Sequence, residues 1–132
     1  MHPNEALFAN DAFYLAFAQG DVDAMGALWS DQQSVVCIHP GWGALVSRDE
    51  VMTSWQNILG NPQRPQISCF GAVTAAVAGG IGVVCYEQLE SSVLVATNIF
   101  VAQGGRPRMV FHQAGPCANP PELDAGPPAL NG

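Results

Sequence analysis

The strongest constraint on this chain is a change of period near Gln66. Before it, apolar side chains recur at helical spacing; after it, they alternate as strands do. Asn4 is expected to cap a first helix running through Phe8, Phe13, Leu15 and Phe17 and stopping at Gly20. Asp21 would cap a shorter helix carrying Met25, Leu28 and Trp29. Val35 to His39 reads as a strand ended by Pro40 and Gly41. Ser47 and Glu50 have the S-x-x-E spacing of a capping box, which opens a third helix through Val51, Trp55, Ile58 and Leu59. Gly60, Asn61 and Pro62 close it.

Four strands follow, at about 67–77, 81–90, 94–103 and 108–115. They are joined by Ala78-Gly79-Gly80, Ser91-Ser92 and Gly104-Gly105, connections short enough to demand an antiparallel meander. Helices first and strands afterwards give an α+β class, with three N-terminal helices packed on a curved, mostly antiparallel sheet. Ile67 to Tyr86 holds no charge over twenty positions, a length that suits a membrane helix. Its Gly79-Gly80 pair between two β-branched runs favours a hairpin instead, so no membrane partner is expected.

At 132 residues the chain suits one domain, placed at 1–116. Residues 117–132 form a Pro-rich tail, with Pro120, Pro121, Pro127 and Pro128 and little to bury. A hydrophobic content of 48% with 11% charged residues excludes a disordered chain. Four Arg, no Lys and eleven acids give a net charge of −7. No basic stripe exists to neutralise phosphates, so nucleic acid is not an expected partner. Three of the four cysteines (Cys37, Cys69, Cys85, Cys117) sit in strand-like apolar runs and read as reduced, buried thiols rather than two disulfides. The first residues lack the charged-then-apolar order of a secretory signal. Both features point to the cytoplasm.

In the third of the four strands, Leu94, Ala96, Asn98 and Phe100 face one way, and Val95, Thr97, Ile99 and Val101 the other. Both faces are largely apolar, and the helices can cover only one. A homodimer through the sheet face would cover the other; the alternative is a sheet curled tightly enough to fill its own interior.

Three ordered motifs then give a resemblance. Phe13-Tyr14, Ala16-Phe17, Gly20-Asp21, Met25 and Leu28-Trp29 match an F-Y-x-A-F-x-x-G-D-x-x-x-M-x-x-L-W opening. Ile38-His39-Pro40-Gly41-Trp42 with Arg48, Val51 and Ser54-Trp55 matches an I-H-P-G-W…R…V…S-W block. Ala96-Thr97-Asn98 with Phe100-Val101 matches A-T-N-x-F-V. Together, over residues 5 to 116, the chain resembles SnoaL-like proteins of the nuclear transport factor 2-like superfamily, which includes ketosteroid isomerases and polyketide cyclases. The resemblance implies a cone-shaped barrel of the nuclear transport factor 2-like, or cystatin-like, kind. It also implies a dimer and a pocket between the helices and the concave sheet. It names no reaction, because the fold hosts enzymes, binding modules and scaffolds alike. Many relatives end their last strand in V-H-H-H-A-S-P; here Val110-Phe111-His112-Gln113-Ala114-Gly115-Pro116 keeps only His112.

His39 and His112 are the candidate catalytic residues, since His titrates near neutrality and both stand at strand ends near the implied pocket. Against that, a His beside Pro-Gly often serves by bonding its own turn. Phe13, Phe17, Trp42, Trp55 and Tyr86 are candidate ligand-binding walls; Trp29 and Trp55 also suit ordinary core anchors. Asn98, polar on an apolar face, must find partners, either a ligand carbonyl or neighbouring protein groups. Glu87 shares a face with Cys85 and Leu89, which would bury it with a raised pKa, unless it is a solvated or Arg-paired strand-end carboxylate. No Asp–Tyr or Asp–Asp constellation of the ketosteroid isomerase kind is visible.

No metal site is expected, Cys37-x-His39 being a lone pair. No cofactor is expected either: Gly80-Ile81-Gly82 lacks the third glycine of a dinucleotide fingerprint, and no P-loop occurs. The expected function is a pocket for a small, mostly apolar metabolite, with isomerase-, cyclase- or hydratase-like acid–base chemistry as its catalytic form. The alternative is a non-catalytic dimeric scaffold whose pocket is packed shut.

Overall fold

The structure, a computed structural model, describes residues 1–122. Helix α1 (Pro3–Gln19) starts two residues earlier than Asn4 would place it, because His2 is the cap. The His2 Nδ1 accepts from the Asn4 backbone N–H at 3.0 Å, and the Glu5 carboxylate accepts from the His2 N–H. Pro3 has no N–H to leave unsatisfied and suits a first helical turn. Gly20 ends α1 at φ +64°, the left-handed conformation expected of it. The Arg64 guanidinium donates to the Phe17 and Ala18 carbonyls there, satisfying two helix-end acceptors.

Helix α2 (Val22–Leu28) is capped by Asp21, whose carboxylate accepts from Ala24 N–H. Helix α3 (Arg48–Leu59) is capped by Ser47, which accepts from Glu50 N–H; the Glu50 carboxylate turns to Val46 N–H instead of to Ser47. Arg48 joins the two helices by donating to the carbonyls of Gly26, Trp29 and Ser30.

The strands are β1 (Val36–Ile38), β2 (Ser68–Val77), β3 (Gly80–Gln88), β4 (Val93–Gln103) and β5 (Arg106–Pro116). The last four form the expected antiparallel meander. Gly104 and Gly105, both at positive φ, make the β4–β5 turn.

The expected cone-shaped barrel is not formed. The sheet runs β1-β5-β4-β3-β2 and is open, with β1 at one edge and β2 at the other. It is a mixed sheet, because three-residue β1 lies parallel to β5. Closure would require β1 and β2 to pair in a consistent stagger, and β1 offers too little strand for that. Bulges at Phe70/Val73 and Ile99/Phe100 bend the sheet. The concave side is filled by the helices: Phe13, Met25, Trp29, Val51, Trp55, Phe100 and Met109 are all 2% exposed or less. Among the described residues, no helix is long and apolar enough to cross a membrane.

Past β5, Cys117 N–H donates to Val93 O at 3.2 Å, so the chain stays beside β4 into the start of the Pro-rich segment. Pro127 and Pro128 lie outside the described residues.

Candidate functional site

Helical spacing puts Asn10, Phe13, Tyr14 and Phe17 of α1 on the face turned to the sheet, all buried. Strand alternation brings Cys85 and Glu87 of β3, Asn98 of β4 and His112 of β5 to meet them. Asn98 and His112 are direct cross-strand partners. His39 leaves β1 into a turn that Gly41 permits at φ +81°, closed by Trp42 N–H to the His39 carbonyl.

These groups surround a cavity of about 340 Å³. Phe13, Phe17, Trp55, Ile58 and Ile67 give it apolar walls, and Tyr14, His39, Glu87 and His112 reach it with polar groups. Trp42 stands at its edge, half exposed. None of the four arginines lines it.

A hydrogen-bond chain runs through the site in one direction. His112 Nδ1–H donates to Asn98 Oδ1; Asn98 Nδ2 donates to Asn10 Oδ1 at 2.8 Å and to the Tyr14 hydroxyl at 3.3 Å. Tyr14 then donates to Glu87 Oε2 at 2.6 Å. This arrangement commits the His112 proton to Nδ1 and leaves Nε2 as a bare acceptor. His39 Nε2 lies 2.9 Å from Ser54 Oγ, whose own proton goes to the Val51 carbonyl at 2.6 Å. His39 is therefore the Nε2–H donor of that pair.

Burial sets the charges. It lowers the pKa of His39 to about 4 and, with the charge of His39, that of His112 to about 3, so both are neutral at pH 7. Burial raises Glu87 above the usual carboxylate range, against the opposing hydrogen bond from Tyr14. Burial and the adjacent Glu87 charge raise Tyr14. Cys37, beneath His39, is pushed up to about 12 by burial.

The candidate residues thus divide. His39 and His112 share the cavity, with ring centroids 6.4 Å apart, and Trp55 packs against both. Phe13, Phe17, Trp42 and Trp55 line it. Asn98 is wholly buried with its amide engaged by protein groups, so it positions His112 and Tyr14 rather than facing the cavity. Tyr86 does not belong to the group: alternation turns it to the opposite face of the sheet, where it packs on Phe70 at 5.5 Å. Trp29 is a core anchor, 1% exposed. Glu87 is buried rather than solvated or Arg-paired, at 3% exposure.

Sequence reasoning missed Tyr14 as the partner of Glu87, Ser54 as the partner of His39, and Asn10 altogether. The available signal was Tyr14's helical register with Phe13 and Phe17. Among the described residues, no group of three or more His, Cys, Asp or Glu is arranged to hold a metal ion.

Comparison with known proteins agrees with the fold. A family described as SnoaL-like domain matches residues 7–118. A structure from Streptomyces avermitilis, named as a candidate dehydratase of the nuclear transport factor 2-like family, is 28% identical with a TM-score of 0.79, covering 89% of this chain and 96% of that one. Another from Thiobacillus denitrificans is named as a candidate calcium/calmodulin-dependent protein kinase type II association domain. It is 30% identical with a TM-score of 0.73, covering 83% and 92%. A cystatin-like structure from Caulobacter vibrioides has a TM-score of 0.77 at 10% identity over 97% and 96%, a likeness of fold alone. None of the curated proteins matches. The motifs, the fold and the family match agree: the chain belongs to the SnoaL-like domain family of the nuclear transport factor 2-like superfamily.

Proposed function

We propose that the cavity holds a small, neutral, mostly apolar molecule and moves a proton on it. The observation that carries this reading is a buried carboxyl, Glu87, on the wall of a cavity that no arginine lines. A carboxyl with a raised pKa can deliver a proton to a ligand oxygen, and the bare Nε2 of His112 can take one from the same molecule. Tyr14 stabilises the Glu87 carboxylate that results. Net proton transfer of this kind serves isomerisation or loss of water, and the relative at 28% identity carries a dehydratase name.

The test uses two probes of equal size, acetophenone and benzoate, titrated into the labelled protein and followed by backbone amide NMR shifts. Acetophenone should shift amides around Phe13, Trp55 and Glu87 while benzoate leaves them unmoved, because its charge would be buried without a cation. Preference for benzoate, or silence from both, would refute the reading.

A second reading, an interaction domain without turnover, is favoured by the association-domain name of the relative at 30% identity. Under either reading two copies pair through the outer sheet face. Val84, Tyr86, Val95, Thr97, Ile99 and Phe111 are only half-buried in the single chain, an apolar surface that a partner sheet would cover. The four free cysteines support a reducing compartment, the cytoplasm.

A further inference from the structure

Cys69 and Cys85 sit on adjacent antiparallel strands, β2 and β3, and belong to no step of the proton transfer proposed above. Cys69 pairs across the ladder with Glu87, two residues beyond Cys85, so all three side chains turn to the helix face. Between the cysteines the register slips: Phe70 pairs with Tyr86, but Val73 pairs with Val84, leaving Gly71 and Ala72 opposite Cys85. Gly71 takes φ +67° to make this bulge. The two sulfurs also share a single donor, Asn10 Nδ2, at 3.7 Å from Cys69 Sγ and 3.8 Å from Cys85 Sγ.

The surroundings of the two sulfurs differ in a useful way. Cys85 is fully buried, and its sulfur lies 3.4 Å from the Tyr14 hydroxyl and 3.9 Å from Asn98 Nδ2 as well as near Asn10. The Tyr14 proton goes to Glu87, so the Cys85 S–H is the donor toward the Tyr14 oxygen. Hydrogen bonding from Cys69 lowers Cys85 below the ordinary thiol range, while the same contact raises Cys69. Cys69 is half-buried, the member of the pair that solvent can reach. The other two thiols lack such a partner: Cys37 lies under His39, and Cys117 follows β5.

We propose that Cys69 and Cys85 form a reversible disulfide by exchange with a low-molecular-weight disulfide. Cys69 loses its proton to solvent, and its thiolate attacks one sulfur of the small disulfide. The S–S bond of that molecule breaks, and the first small thiolate leaves and is protonated from solvent. Cys85 then loses its proton to solvent, attacks Cys69 Sγ in the mixed disulfide and expels the second small thiolate, which is protonated from solvent. The two protein thiols are oxidised, and one small disulfide is reduced to two thiols.

The experiment incubates the full chain with excess oxidised glutathione. Remaining thiols are then alkylated, and the products are mapped by intact and peptide mass spectrometry, with and without a final dithiothreitol step. The expected product has lost two hydrogens, carries alkyl groups only on Cys37 and Cys117, yields a linked Cys69–Cys85 peptide, and reverts with dithiothreitol. Cys69→Ser should block the reaction entirely. Cys85→Ser should trap a stable glutathione adduct on Cys69, and even if that variant folds poorly the Cys69→Ser result still decides. Alkylation of both Cys69 and Cys85 after exposure, a persistent adduct on wild-type Cys69, or linkage through another cysteine would overturn the proposal.

Discussion

The Tyr14 hydroxyl donates to Glu87 Oε2 across 2.6 Å, joining α1 to β3 at the wall of the cavity. Both groups are buried, so the bond is short and little screened. It is also the last link of a donor chain that begins at His112, which makes Glu87 the sink of the whole polar network.

The two histidines give the fold a dependence on acid. Unfolded, each takes up a proton near pH 6.5; folded, His39 refuses it until about 4 and His112 until about 3. The unfolded state then binds more protons below 6.5, so stability falls as pH drops through that window. The slope is about 1.4 kcal/mol per pH unit for each histidine. Urea midpoints measured from pH 7 to 4 should fall steeply, and His39→Gln should remove about half of the slope. A flat profile would mean that the histidines are protonated in the native state.

Glu87 acts in the opposite direction. Its folded pKa is raised, so the native state keeps a proton that the unfolded chain gives up above about 4.5. Stability is lost as pH rises from there to the folded pKa. Glu87→Gln should therefore be more stable than wild type at pH 8, relative to the same comparison at pH 4. Thermal melts at the two values check the sign.

Asn98 serves three neighbours with one amide. Asn98→Leu leaves the His112 Nδ1–H and the Asn10 carbonyl oxygen buried and unpaired, each at about 1–3 kcal/mol. Chemical denaturation should show a loss of about 3 kcal/mol or more, with the fold retained by circular dichroism.

Charge on the outer sheet face should separate the two copies. Thr97→Glu and Ile99→Glu put carboxylates at half-buried positions beside Val84 and Phe111. Sedimentation velocity should show dimer for wild type and monomer for the double variant. Wild type running as a monomer at micromolar concentration would end the pairing argument.

Much of this organisation is legible in the sequence because it is set locally. Gly20, Asp21 and Ser47 punctuate the helices, and period-2 alternation correctly puts Asn98 on the face of Leu94 and Phe100. What escapes is decided between distant segments. Pro3 moved the first cap to His2, and the barrel failed at a three-residue edge strand whose pairing no local pattern reports. Tyr86 and Glu87 are neighbours in the chain, yet alternation turns only Glu87 inward. Its partner, Tyr14, comes from a helix 73 positions away, a pairing that single-sequence periodicity does not contain.

The central claim is that a buried carboxyl with a raised pKa stands ready at the cavity wall. Its most direct test is a pH titration of the Glu87 carboxyl carbon by NMR in the folded protein, with Glu87→Gln to assign the resonance. A midpoint clearly above the ordinary carboxylate range is expected, with a further shift in Tyr14→Phe. A Glu87 midpoint inside the ordinary carboxylate range would contradict the claim.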